Sequence, residues 1–164
     1  MRKRPYLAMA LLISLGSALA LAGCAAKPPK AAETKAMITA SPDVNPDSTG
    51  RPSPVVVRIF QLRGDAEFSG ADFFSLYEKE KETLGASLVL REEVVLRPGE
   101  SQERVLPLSP EARFLGVIAA YRDIRGAQWR QLVAAPEKSL IDLLSRDRVT
   151  IQVDKSALTV AIKD

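Results

Sequence analysis

Val55-Val56-Val57-Arg58-Ile59-Phe60-Gln61-Leu62 decides the fold. β-branched and aromatic residues fill it, so it reads as a strand. Side chains alternate between the faces of a strand, which puts Val55, Val57 and Ile59 on one side and Val56, Arg58, Phe60 and Leu62 on the other. Both faces carry apolar residues, so the strand is expected to be central and covered on both sides.

Immediately upstream lies Ser41-Pro42-Asp43-Val44-Asn45-Pro46-Asp47-Ser48-Thr49-Gly50-Arg51-Pro52-Ser53-Pro54. Its four prolines, its glycine and its Asp, Asn and Ser residues make it a loop. Proline restricts the backbone, so such a loop can present side chains at low entropic cost and suits recognition. A plain connection is the competing reading. Asp43 and Asp47 flank Asn45 in an oxygen-rich cluster. However, Pro46 breaks the alternation and no distal glutamate completes a calcium loop, so no metal site is read here. Before the loop, Met37 to Ala40 reads as a weak first strand.

Downstream, Ser69 and Asp72 look like a helix start, with Phe73, Leu76, Tyr77 and Leu84 following at helical spacing and Gly85 as the stop. Phe68, Phe73, Phe74 and Tyr77 are expected to hold this helix on the sheet. Ser87–Leu96, Gln102–Leu108, Phe114–Tyr121 and Gln128–Val133 read as strands, with Arg97-Pro98-Gly99-Glu100 as a turn. Gly116 inside an apolar strand points to another element packed closely over the backbone, and Trp129 is expected at an edge of the core. The stretch from Glu137 to Ser145 reads as a short helix or a loop. Val149, Ile151 and Val153 alternate with polar residues, and Leu158, Val160 and Ile162 do the same after a turn, which makes a hairpin. About seven or eight short strands with frequent turns predict a mainly β fold, a β-sandwich of the immunoglobulin-like kind with one inserted helical element.

The N-terminus reads differently. Arg2, Lys3 and Arg4 precede an uncharged apolar run from Tyr6 to Leu21, which ends in Leu21-Ala22-Gly23-Cys24. A basic start, an apolar stretch and small residues before a cut describe a secretory signal. An uncleaved membrane anchor is the competing reading, for which the run is of borderline length, and the position of the lone cysteine decides against it. A buried core cysteine would not explain why the single cysteine stands behind Leu-Ala-Gly. Residues 1–23 are therefore read as a signal peptide and Cys24 as a lipidated mature N-terminus. Residues 24–36, small, charged and proline-bearing, are read as a flexible tether, and 37–164 as the folded domain. One acyl chain binds a membrane only marginally, whereas two or three on one residue hold it durably.

Composition narrows the chemistry. Removing 23 residues from 164 leaves 141, the size of one domain. The net charge of +3 is carried by the three basic residues of the leader, so the remaining chain is neutral and makes no electrostatic case for nucleic acid. The absence of histidine removes the Ser-His-Asp and Cys-His triads, histidine metal sites and the commonest general base. Glu92 and Glu93, adjacent in a strand, point to opposite faces and cannot act as a pair. No phosphate-binding glycine loop is present. Nothing argues for an enzyme, a small-molecule substrate or a cofactor beyond covalent lipid on Cys24.

The segment Asn45–Leu62 resembles the signature of the TssJ/VasD/SciN family, the outer-membrane lipoproteins of type VI secretion. The same holds for Phe68, Ala71-Asp72-Phe73-Phe74 and Leu76-Tyr77, for Arg97-Pro98-Gly99, and for Leu115–Asp123 with Trp129-Arg130. Phe60 stands where tyrosine is more frequent. The resemblance implies a transthyretin-like sandwich with a helical part, and diacylglycerol and N-acyl chains (palmitate) on Cys24. With Ala25 and not aspartate after the cysteine, it implies the inner leaflet of the outer membrane, with the domain facing the periplasm. It further implies binding to the periplasmic C-terminal domain of the large inner-membrane protein, TssM, and an indirect link to a TssL-like protein. The loop between the first two strands is implicated in partner binding, which by position selects Asp43, Asn45, Asp47, Gly50 and Arg51. A periplasmic carrier or chaperone for an apolar ligand or strand is the alternative, and it would need an apolar cavity or an unprotected sheet edge.

Overall fold

The computed structural model describes residues 32–136 and 148–163. They form eight strands: β1 (Ala32–Ala40), β2 (Val55–Leu62), β3 (Leu88–Leu96), β4 (Ser101–Leu108), β5 (Phe114–Ala119), β6 (Arg130–Ala134), β7 (Arg148–Val153) and β8 (Leu158–Lys163). Three short helices, α1 (Ala66–Gly70), α2 (Phe73–Glu78) and α3 (Glu80–Leu84), lie between β2 and β3. Two four-stranded sheets result, β4-β1-β7-β8 and β3-β2-β5-β6. All strand pairs are antiparallel except β1 with β7. The expected sandwich with a helical insertion is the fold observed.

β2 is central, as its composition requires, with β3 on one side and β5 on the other. Its two faces serve two cores. Val55, Val57 and Ile59 meet Ile38, Leu96, Val117 and Ile151 between the sheets. Phe60 and Leu62 point the other way, into a second cluster with Phe68, Phe73, Leu76, Leu84 and Ile118 beneath the helices. The ring of Phe68 lies on Gly116, where it occupies the space that a side chain would take. Trp129 meets Phe73 edge-on at 5.3 Å, bridging both clusters.

Three expectations need correction. First, β1 starts at Ala32, inside the span read as tether, so residues 32–36 belong to the sheet. Its inward residues include Thr34 and Ala36, too small and polar to signal a strand. The segment is ordered instead by main-chain pairing to β4 on one side and β7 on the other. Second, Asp72 and not Ser69 caps the helix that carries Phe73: Asp72 Oδ1 accepts from Ser75 N at 3.0 Å, while Ser69 lies inside α1. The single helix expected is broken at Lys79, whose backbone leaves the helical region. Third, Phe74 is 58% exposed and does not share the work of Phe68 and Phe73. The signal peptide, Cys24 and the segment from Glu137 to Ser145 lie outside the described residues.

The helical insertion is clipped to the sheet by Arg58. Its side chain, only 14% exposed, pairs Nε with Glu93 at 2.7 Å and Nη1 with Glu80 at 3.2 Å, and also donates to the Tyr77 carbonyl. The guanidinium lies 4.1 Å from the centre of the Tyr77 ring. Arg91 reaches the same two carboxylates at 3.0 Å each. Such charge-assisted bonds hold orientation better than isolated pairs do.

Candidate functional site

Loop 41–54 leaves the C-terminal end of β1 and is folded in detail. Asp47 organises its tip: Oδ1 accepts from Thr49 N at 2.9 Å, Thr49 Oγ1 at 2.6 Å and Arg51 N at 3.0 Å. Two backbone bonds close the turn, Gly50 N to Asp47 O and Asp47 N to Arg51 O, both 2.9 Å. Gly50 takes φ +84, which few residues with a side chain adopt. The tip presents Arg51, whose side chain is 82% exposed and 3.4 Å from Asp47. Asp43 is exposed and accepts from Ser41 Oγ at 2.8 Å.

Asn45 has a different role from its neighbours. It is 3% exposed and takes φ +50. Nδ2 donates to Pro54 O at 2.7 Å, and Oδ1 accepts from Arg122 N at 2.7 Å. Its own N donates to Lys155 O at 3.2 Å. Buried and bonded at both ends of its amide, Asn45 positions the loop. It joins loop 41–54 to the 120–129 connection and to the β7–β8 turn. Tyr121 repeats that link, its hydroxyl donating to Ala157 O at 2.7 Å. Gly99 N donates to Ser41 O at 3.1 Å and ties in the β3–β4 turn as well.

The structure therefore groups Asp43, Asp47, Gly50 and Arg51 at one end of the sandwich, around Asn45. The contributions of Tyr121, Arg122 and Lys155 are not legible in the sequence, because long-range contacts between loops leave no periodic trace. Burial beside Asp154 raises the pKa of the Tyr121 hydroxyl and keeps it protonated as a donor. Tyr121→Phe is expected to lower stability by about 1 kcal/mol, the net worth of such a bond, measured by urea unfolding.

The Asp47 carboxyl is held below its ordinary value of 3.8, chiefly by Thr49 Oγ1 and then by the Arg51 and Thr49 amides. A depressed folded pKa contributes order that is present above the unfolded value and is lost as pH falls through the folded one. The amide resonances of Thr49 and Arg51 are expected to hold their shifts from neutral pH down to about 4 and to change below that range.

The folded end has known counterparts. The model of the type VI secretion lipoprotein family (T6SS-SciN; VasD, EvfM, TssJ) matches residues 32–156. The chain belongs to this family. Comparison with curated protein sequences returned no match. Among solved structures, the T6SS lipoprotein TssJ1 from Pseudomonas aeruginosa is 30% identical, with a TM-score of 0.74 over 82% of this chain and 98% of that one. Serratia marcescens Lip, a membrane-bound component of the Type VI Secretion System, is 32% identical, with a TM-score of 0.72 over 82% and 99%. A chain in the structure described as the T6SS protein TssM C-terminal domain (869-1107) from EAEC is 27% identical, with a TM-score of 0.62 over 79% and 97%. This type VI lipoprotein thus has the sandwich of its relatives. Among its described residues no group of three or more His, Cys, Asp or Glu residues is placed to hold a metal, and no helix is long and apolar enough to cross a membrane.

Proposed function

We propose that this lipoprotein is held by lipid on Cys24 at the inner leaflet of the outer membrane and docks the periplasmic C-terminal domain of a TssM-like inner-membrane protein. Through that partner it is linked to a TssL-like protein, within the type VI membrane complex. The role is structural, without catalysis and without a cofactor other than the lipid. The observation that carries the reading is the pinned loop 41–54. β1 runs about 30 Å from Ala32 to that loop. The chain toward Cys24 therefore leaves one end of the strand, and Asp43, Asp47, Gly50 and Arg51 are presented at the other. A preorganised loop loses little entropy on binding, and confinement to a surface raises effective concentration.

The EAEC comparison supports the choice of partner. The matched chain aligns over 97% of its length with 79% of this one, so it is far shorter than a fragment spanning 869–1107. We infer that it accompanies the TssM domain in that structure. The carrier reading finds less support. The space between the sheets is filled by Ile38, Val57, Ile59, Leu115 and Ile151, and two of the four edge strands, β3 and β4, carry Arg91, Glu92, Glu93, Glu103, Arg104 and Pro107, which discourage strand addition there.

The test is a titration of the full chain, as processed by the cell and purified in detergent, with the cognate TssM-like periplasmic domain. Saturable binding that weakens in Gly50→Val and Arg51→Ala is expected. No binding by the folded protein would defeat the reading. For the anchor, Cys24→Ala is expected to move the protein from the membrane to the soluble fraction, and continued membrane retention would refute lipidation there.

A further inference from the structure

We propose that the docking face is not loop 41–54 alone but a composite of three loops, on which Arg51, Arg122, Arg125 and Lys155 pair with an acidic segment of the docked protein. This rests on the docking reading above.

Three bonds bring the backbones of Arg51, Arg122 and Lys155 together around Asn45 and Asp47. Arg122 N and Lys155 O both bond Asn45, at 2.7 and 3.2 Å, and Arg51 O accepts from Asp47 N, two residues on, at 2.9 Å. All three residues are exposed. Arg125 stands in the adjoining turn, which Gly126 N closes by donating to Asp123 Oδ1 at 3.1 Å.

Four aspartates share this end, and each faces its own loop. Asp47 takes Thr49 and Arg51, Asp43 takes Ser41, Asp123 takes Gly126, and Asp154 takes Gln152 Nε2 at 3.2 Å. Among the described residues Arg122, Arg125 and Lys155 form no ion pair, although the charge of Arg122 reaches Asp47. Arg122, Arg125 and Lys155 are the cations left for a partner, and Arg51 stays 82% exposed beside Asp47. Carboxylates suit them, since guanidinium pairs with carboxylate through two parallel bonds. Four acids among four bases leave a weak field at a distance, so the recognition is by contact and should act on dissociation more than on encounter.

The experiment uses the full chain in detergent and the same periplasmic domain, followed by surface plasmon resonance. Arg122→Glu and Lys155→Glu are each expected to weaken binding about tenfold, through faster dissociation. The neutral pair Arg122→Gln with Lys155→Gln should fall between these and wild type. Lys81→Glu, exposed on α3, should bind as wild type does, and all variants should melt as wild type does. If the reversals bind like wild type while Arg51→Ala weakens binding, the composite face is wrong and loop docking stands. If wild type does not bind, both fail. If the reversals instead abolish retention on phosphatidylglycerol vesicles and spare the protein partner, the face is a lipid surface and the proposal is overturned.

Discussion

Gly116→Val is expected to destabilise the domain by about 3 kcal/mol or more, or to prevent folding. Gly116 lies mid-strand in β5, paired to Phe60 of β2 and to Leu132 of β6. A Cβ there would stand 2.8 Å from Phe68 Cε2 and Cζ and 3.0 Å from Cδ2. Real Cβ contacts do not come so close, so the Phe68 ring or the strand must move. The ring is fully buried between α1 and the sheet, packed with Phe60, Phe73, Leu76 and Ile118. Overpacking a core costs about 1–3 kcal/mol, and expelling a buried phenylalanine costs roughly 3–5 kcal/mol. Two comparisons separate this clash from a general effect of losing a glycine. Gly70→Ala, where nothing lies within 4 Å of the new Cβ, should be close to neutral. Phe68→Leu combined with Gly116→Ala should cost less than the sum of the single changes, because the shorter side chain vacates the space. Thermal unfolding of the five variants, the two single changes of that pair included, decides it. If Gly116→Val melted like wild type, the helical insertion would not be packed as described.

Gly116 also shows which parts of this fold were legible. A glycine in an apolar strand states that something approaches the backbone, but not what. Periodicity carried the rest of the sheet well. β2 begins and ends where the alternation from Val55 to Leu62 does, and the β7–β8 hairpin follows its apolar residues. The same signal failed for β1, where Thr34 and Ala36 are buried yet small, so a central strand resembled a tether. It failed again at Lys79, because a helix pattern in residues 73–84 does not reveal where the backbone leaves the helical region. For the candidate site, composition marked 41–54 as a loop, and Asp43, Gly50 and Arg51 are exposed in it while Asp47 faces into its own turn. It could not show that Asn45 turns inward, since its side chain bonds Arg122 N, 77 residues away along the chain.

That inward turn makes Asn45→Ala the second large effect expected, with a loss of about 3 kcal/mol. Removing the amide leaves the Pro54 carbonyl and the Arg122 amide without their partner in a partly buried place, at about 1 kcal/mol for each such group, the low end of the range for unsatisfied groups. It also places alanine at φ +50, a further 1–2 kcal/mol or so. Asn45→Gly relieves the backbone and not the hydrogen bonds, so the difference between the two variants isolates the conformational part. Asn45→Asp keeps an acceptor for Arg122 N but sets a carboxylate oxygen against the Pro54 carbonyl, and should resemble alanine more than wild type. Partner binding should fall in all three, because the loop that bears Arg51 loses its preorganisation. Asn45 itself makes no contact in this account. Double-mutant cycles between Asn45 and acidic residues of the partner should therefore give coupling near zero, while the same cycles with Arg51 or Arg122 give clear coupling. Strong direct coupling to Asn45 would mean that the loop opens on binding and that its rigidity is not what the interface uses.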